Sequence, residues 1–340
     1  PGRFRELFVL VSRLHGTLLD RNRPLWEMHL IEGLQDRQFA VYAKFHHAAI
    51  DGVRSSHILQ SMWSTDPNER IHYSPLSMSA RDRYLASLGV NAPGEQELRN
   101  VAEALKATFD SSANLLGALR KYVGAWTGSG SALVVPWQKV PRSVINTRVD
   151  GARRFVAQSW PFARIRAVGK ALDGTFNDAV LTMCAGALRT FLLNHGELPR
   201  ESLKSMVPVS LRKPGDMDSS NAVGAISADL ATNVADPIKR FSVIRASMEA
   251  AKATFKDLSP DEASLFLQLQ QLPALVLVPL GLGSRFPPYS TVISNVPGPR
   301  QTMYWNGARL EGIYPTSIVS DGMAMNITLV TYDEQVHFGI

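Results

Sequence analysis

The chain has 340 residues, more than one hydrophobic core usually serves, so two domains are expected. Apolar residues make up 45% and charged ones 19%, ordinary for a globular protein, and the single cysteine excludes a disulfide framework and fits a reducing compartment. The net charge of +6 and a pI near 9.5 favour anionic partners. Lys and Arg form no long run, however, and no nucleic-acid-binding signature is present, which places nucleic acid last among those partners.

The first residue is Pro1 rather than Met, so a preceding segment is expected. Residues 26–31 and 38–45 alternate as strands do, and the Gly-containing polar stretch between them predicts a hairpin. Directly after the second strand stands Phe45-His46-His47-Ala48-Ala49-Ile50-Asp51-Gly52, followed by a helix-like apolar stretch at 53–63. A neutral imidazole takes a proton from an alcohol near pH 7 and returns it to a leaving group within one turnover. On a strand end the two rings point to opposite faces, so only one of them serves a reaction channel. Asp51 suits the turn better than proton transfer, and Gly52 lets the chain turn sharply. A zinc site is disfavoured, because no third ligand stands at metal spacing and Cys184 is alone.

Residues 95–126 have helical spacing, broken by Thr127-Gly128-Ser129-Gly130-Ser131. That break and the 136–146 segment predict a linker at 127–152. The spacing then predicts a strand at 154–160, a helix begun by Pro161, and a long apolar helix at 177–193 headed by Phe176-Asn177-Asp178. Strands at 205–212 and 222–230, helices at 237–256 and 260–278, and strands at 290–295, 309–314, 325–332 and 336–340 follow. Residues 265–282 are the most apolar stretch, but Gln268, Gln270, Gln271, Pro273 and Pro279 interrupt it. An interior helix pair is the expectation there, ahead of an interfacial membrane-dipping segment. The closing strand pair echoes the early hairpin, as two copies of one α/β unit with only the first catalytic would.

Five segments in this order carry a resemblance: Pro24-Leu25-Trp26-Glu27, His46-His47-Ala48-Ala49-Ile50-Asp51-Gly52, Phe176-Asn177-Asp178-Ala179-Val180, Pro208-Val209-Ser210-Leu211-Arg212 and Ser294-Asn295-Val296-Pro297-Gly298-Pro299. With them the chain resembles the bacterial wax ester synthase/acyl-CoA:diacylglycerol acyltransferases. The resemblance implies an α/β fold of two chloramphenicol-acetyltransferase-like halves, residues 1–126 and 153–340, with a substrate channel between them. Members of that family are typically longer at both ends. It also implies transfer of a long acyl chain from acyl-CoA, the co-substrate, to a fatty alcohol or a diacylglycerol, with no metal and no other cofactor. A cytoplasmic protein, peripheral to the inner membrane or to lipid inclusions, is expected.

In that family the second histidine is the base, which assigns the proton transfer to His47 and leaves His46 and Asp51 to hold the motif. No nucleophile elbow is evident, so both substrates are expected to meet in one ternary complex without an acyl-enzyme. The oxyanion candidates are Ser294 and Asn295, before the Pro-Gly-Pro turn, and Asn177 with Asp178 at a helix start, where a plain helix cap is the competing explanation. Pro24, Leu25, Trp26 and Gly52 are channel candidates, although Trp26 also suits simple packing. Arg212 and Lys213 are candidates for the coenzyme A phosphates, or else solvated cations. Cys184 reads as a small buried residue. Two alternatives share the histidine motif: a condensation domain acting on carrier-protein thioesters, and a non-catalytic lipid-binding relative.

Overall fold

The computed structural model describes residues 2–46, 60–71, 113–128, 132–210, 223–277 and 279–340. The first unit consists of helix α1 (Phe4–Gly16) and the antiparallel hairpin of β1 (Trp26–Ile31) and β2 (Ala40–Phe45). Trp26 pairs with Phe45 and Ile31 with Ala40, so the expected hairpin forms, closed by a short 3-10 turn at Gln35–Arg37. Asp36 and Arg37 take φ of 57° there, the left-handed region that a compact polar turn exploits. On α1, Leu7 and Val11 are four apart on one face and are buried with Tyr42 and Phe155. Lys44 donates to the carbonyls of Leu14 and Thr17, 2.9 Å each, satisfying acceptors that the end of α1 leaves open.

The second unit is a six-stranded mixed sheet of β3 (Ala157–Pro161), β4 (Lys204–Ser210), β5 (Val223–Asp229), β6 (Thr291–Pro297), β9 (Asn326–Tyr332) and β10 (Gln335–Gly339). Its spatial order is β3-β10-β9-β6-β4-β5, with β4, β6 and β9 parallel. A separate small ribbon pairs β7 (Tyr304–Trp305) with β8 (Ala308–Arg309). The helices are α2 (Ala113–Thr127), α3 (Phe162–Ala171), α4 (Phe176–Asn194), α5 (Pro237–Phe255), α6 (Pro260–Gln270) and α7 (Leu272–Leu277). Leu181, Cys184, Leu188 and Leu192 of α4 form one stripe, as do Phe241, Ile244, Met248 and Ala251 of α5. Both stripes share one core with Val207, Ile226, Ile293, Ile327, Leu329, Val336 and Phe338 of the sheet. Strand alternation therefore gives the sheet a helix-covered face and a second face.

Three sequence expectations change. The helix expected over 260–278 ends at Gln270 and restarts as α7, because Pro273 lacks an N–H and its ring clashes with the carbonyl four residues back. The strand expected at 309–314 shrinks to Ala308–Arg309: Gly312 and Pro315 interrupt it, and Tyr314 packs on Phe4, Phe8 and His337 instead. The interior placement of 265–282 fits α6, which buries Phe266 and Ala263, but not α7, which buries nothing.

Residues 132–156 have no helix or strand, as expected of a linker, yet the segment is strapped to the second unit. Asn146 is 4% exposed and donates to the carbonyls of Ser290 (3.1 Å) and Gly322 (2.8 Å). Val134, Val135 and Ile145 of the same segment are buried.

Candidate active site

The hairpin register unites two segments that lie twenty residues apart in sequence. His46, one residue past β2, donates its backbone N–H to the Leu25 carbonyl at 2.9 Å, and Trp26 donates to the Pro24 carbonyl at 2.7 Å. Pro24-Leu25-Trp26 thus lies alongside the start of the paired histidines. Trp26 is 42% exposed, so it is not packed away in a core. Glu27 and Lys44 sit opposite each other and form an ion pair, and Lys44 also holds the end of α1, fixing the strands that carry the motif. His47, Asp51, Gly52, Arg212 and Lys213 lie outside the described residues.

The other candidates divide between the two faces of the sheet. Asn295 shares the helix-covered face with Ile293, whereas Ser294 lies on the second face, opposite Thr328. Asn295 Nδ2 donates to Asn177 Oδ1 at 3.3 Å, joining residues 118 positions apart. The Asn295 Oδ1 atom is buried and has no partner among the described residues. Asp178 is the reciprocal member of a capping box: its Oδ2 accepts from the Thr175 N–H (2.8 Å) and hydroxyl (2.7 Å), and its own N–H donates to Thr175 Oγ. The capping explanation therefore accounts for one oxygen of Asp178, while its Oδ1 is buried without a described partner.

Gly298 explains the form of the Pro-Gly-Pro turn after Asn295. A Cβ at that position would stand 2.4 Å from the Thr331 carbonyl oxygen and 2.9 Å from Val330 Cγ1. Only glycine lets the chain leave β6 so close to β9.

Residues 1–180 match the wax ester synthase/diacylglycerol acyltransferase catalytic domain, and residues 219–340 match the C-terminal domain of the same proteins. The chain belongs to the wax ester synthase/diacylglycerol acyltransferase family. It is 37% identical over 340 residues to the O-acyltransferase WSD of Acinetobacter baylyi, covering all of this chain and 73% of that protein. A probable diacylglycerol O-acyltransferase of Mycobacterium tuberculosis is 41% identical over 344 residues, with the same coverage. The solved wax ester synthase/diacylglycerol acyltransferase of Marinobacter aquaeolei VT8 superposes with a TM-score of 0.70 at 37% identity, over all of this chain and 70% of that one. The chain is an acyltransferase with the mixed α/β fold expected of this family.

Sequence reasoning missed a polar network on the second face that ties this acyltransferase's first hairpin to its sheet. His15 Nε2 lies 3.1 Å from the Ser317 carbonyl, which only accepts, so Nε2 carries the proton and Nδ1 accepts from the Tyr42 hydroxyl at 3.0 Å. Ser317 Oγ meets Thr328 Oγ at 2.7 Å, beside Ser294 in the register, and Thr328 donates to Asn326. Burial lowers the His15 pKa, keeping the ring neutral as this arrangement requires. Nothing in the sequence around a lone histidine on an amphipathic helix signals this role. Cys184 is buried as expected, and burial pushes its thiol up to about 12, which removes it as a nucleophile.

Proposed function

We propose that the chain transfers a long acyl group from acyl-CoA to the hydroxyl of a fatty alcohol or a diacylglycerol. The observation that carries this reading is the hairpin register that sets Pro24-Leu25-Trp26 against His46, in a chain that aligns along its whole length with acyltransferases of the family. His47 acts as the general base: it takes the hydroxyl proton as the oxygen attacks the thioester carbonyl carbon. The tetrahedral oxyanion collapses, the C–S bond breaks, and the same ring returns the proton to the coenzyme A thiolate. Base catalysis of this kind contributes about 10² to 10⁴ in rate.

Asn177 and Asn295 are the favoured oxyanion partners. Asn295 spends a donor on Asn177, which leaves the Asn177 amide N–H groups as donors without a described partner, at the start of α4 where the helix dipole also favours negative charge. Ser294 faces the other way and serves the second face. His46 and Asp51 hold the motif, Pro24, Leu25, Trp26 and Gly52 border the channel, and Arg212 and Lys213 meet the coenzyme A phosphates. The two halves are divided at 126 and 153, with the strap between them. The protein works in the cytoplasm, at the surface of the inner membrane or of lipid inclusions.

The test is to incubate purified protein with palmitoyl-CoA and either hexadecanol or a diacylglycerol, following thiol release and ester formation, with His47→Ala alongside. Ester formed by the wild type and lost in the variant is the expected result. Undiminished turnover in His47→Ala overturns the mechanism, and no turnover with either acceptor overturns the substrate assignment.

A further inference from the structure

The segment after α6 has an unusual surface. Leu272, Leu275, Val276, Leu280 and Phe286 are 51%, 71%, 60%, 65% and 50% exposed, five large apolar side chains within fifteen residues. Single exposed leucines need no explanation, but a cluster of this density does. Residues 263–284 contain no Asp, Glu, Lys or Arg, and the first charge beyond them is the exposed Arg285. Pro273 stops α6 from continuing, and residues 272–277 leave the core as a short helix that buries none of its side chains.

The neighbouring helix has the same character. Helix α2 packs on α6 and on Leu258 just before it, through a cluster of Leu115, Ala118, Leu258, Ala263 and Phe266, with the Tyr122 ring edge-on to Phe266 at 5.9 Å. It leaves Leu116, Val123 and Trp126 exposed at 50%, 58% and 42%. Its charged residues are Arg120 and Lys121, both exposed, and it contains no acidic residue. Apolar side chains interleaved with cations and free of carboxylates match an anionic lipid surface: the aliphatic groups enter the acyl boundary and the cations meet the headgroups.

We propose that the exposed faces of α2 and of residues 272–277 and 279–286 dock the enzyme onto an anionic phospholipid surface. The choice of occupant rests on the acyl-transfer reading above, because long-chain alcohols, diacylglycerols and their esters reside in lipid and not in water. No described helix is long and apolar enough to cross a membrane, and the docking is interfacial. Leu275, Val276 and Leu280 enter the acyl boundary, Trp126 sits at headgroup level, and Arg120, Lys121 and Arg285 supply the preference for negative charge.

The experiment is co-sedimentation of the purified full chain with vesicles of phosphatidylcholine alone or mixed with phosphatidylglycerol. Four proteins are compared: wild type, Leu275→Glu/Val276→Glu, Arg120→Glu/Lys121→Glu and Leu280→Ser. Wild type partitions onto the mixed vesicles more strongly than onto neutral ones, and added salt weakens the difference. The glutamate pair at 275 and 276 lowers binding to both vesicle types by about tenfold or more, and the 120/121 pair abolishes the preference, at about fivefold per basic residue lost. Leu280→Ser gives a milder loss and guards against a folding artefact, checked by circular dichroism. All variants keep wild-type turnover on detergent-dispersed hexadecanol. Vesicle binding unchanged in both pairs overturns the proposal. So does a wild-type dimer that Leu275→Glu converts to monomer while vesicle binding persists. Failure of every protein, wild type included, to make ester from dispersed substrates instead removes the acyl-transfer reading, whatever the vesicles show.

Discussion

The two hairpins of this acyltransferase look alike in sequence and differ in place. In β9–β10, every residue from Ile327 to Tyr332 and from Val336 to Gly339 is buried, and the pair lies inside the six-stranded sheet with β6 and β3 as neighbours. In β1–β2 only Tyr42 is buried, and the two strands form a sheet of their own. The connections differ too: two residues, Asp333 and Glu334, in the closing hairpin, and eight residues with a 3-10 turn in the early one. A hairpin pattern therefore fixes local pairing, while the surrounding sheet decides whether the pair is core or support. The early hairpin, partly open, delivers the histidine motif; the closing one holds the fold.

The sharpest way to break this comparison is at the histidine motif. His47→Ala is expected to lower turnover by about 10² to 10⁴ while leaving the unfolding midpoint in urea unchanged; a large loss of stability would mean that the motif serves the fold. Asn295→Ala and Asn177→Ala are expected to lower kcat by about 10² or more with little change in KM for acyl-CoA, the signature of a group that acts on the transition state. A change confined to KM would remove them from the oxyanion site.

Stability should divide the hairpins the other way. Leu329→Ala, at a fully buried position of β9, is expected to cost about 2 to 5 kcal/mol in denaturant unfolding. Leu30→Ala on β1, where the side chain is 61% exposed, should stay within about 0.5 kcal/mol. Similar costs at the two sites would erase the distinction.

A smaller effect is expected in the pH dependence. His337 on β10 is 2% exposed, its Nδ1 lies 2.7 Å from Ser159 Oγ, and burial lowers its pKa. The unfolded chain therefore binds the proton more tightly than the folded one. The stability that the neutral ring contributes is complete above the unfolded value near about 6.5 and is lost as pH falls below it towards the folded value. Urea unfolding between pH 7.5 and 5 should show this fall, and His337→Gln should make it shallower. His15 keeps a residual slope of the same sign, since burial lowers its pKa as well.

Much of this is legible in the sequence, and the reason is locality. The stripes of α4 and α5, the alternation of β1 and β2, and the proline-led starts of α5 and α6 are patterns within a few residues, and each forms within a few residues of its expected bounds. Misplaced elements had competing local signals: Pro273 inside an apolar run, and Gly312 and Pro315 around a strand-like stretch.

The sequence by itself determined the family and its reaction class, because chemistry-bearing motifs such as His46-His47 with Asp51-Gly52 and Ser294 to Pro299 are contiguous and recognisable one at a time. Only the tertiary structure decided how they are arranged. The sheet order places β6 between β9 and β4, the pleat turns Ser294 and Asn295 to opposite faces, and the packing of α4 on that sheet brings Asn177 to Asn295. Such pairings join residues over a hundred positions apart, and no periodicity within a single segment encodes them. The apolar run at 272–286 is equally ambiguous in sequence, where a core helix and a surface that seeks lipid read alike; the distinction lies in whether anything in the fold covers it.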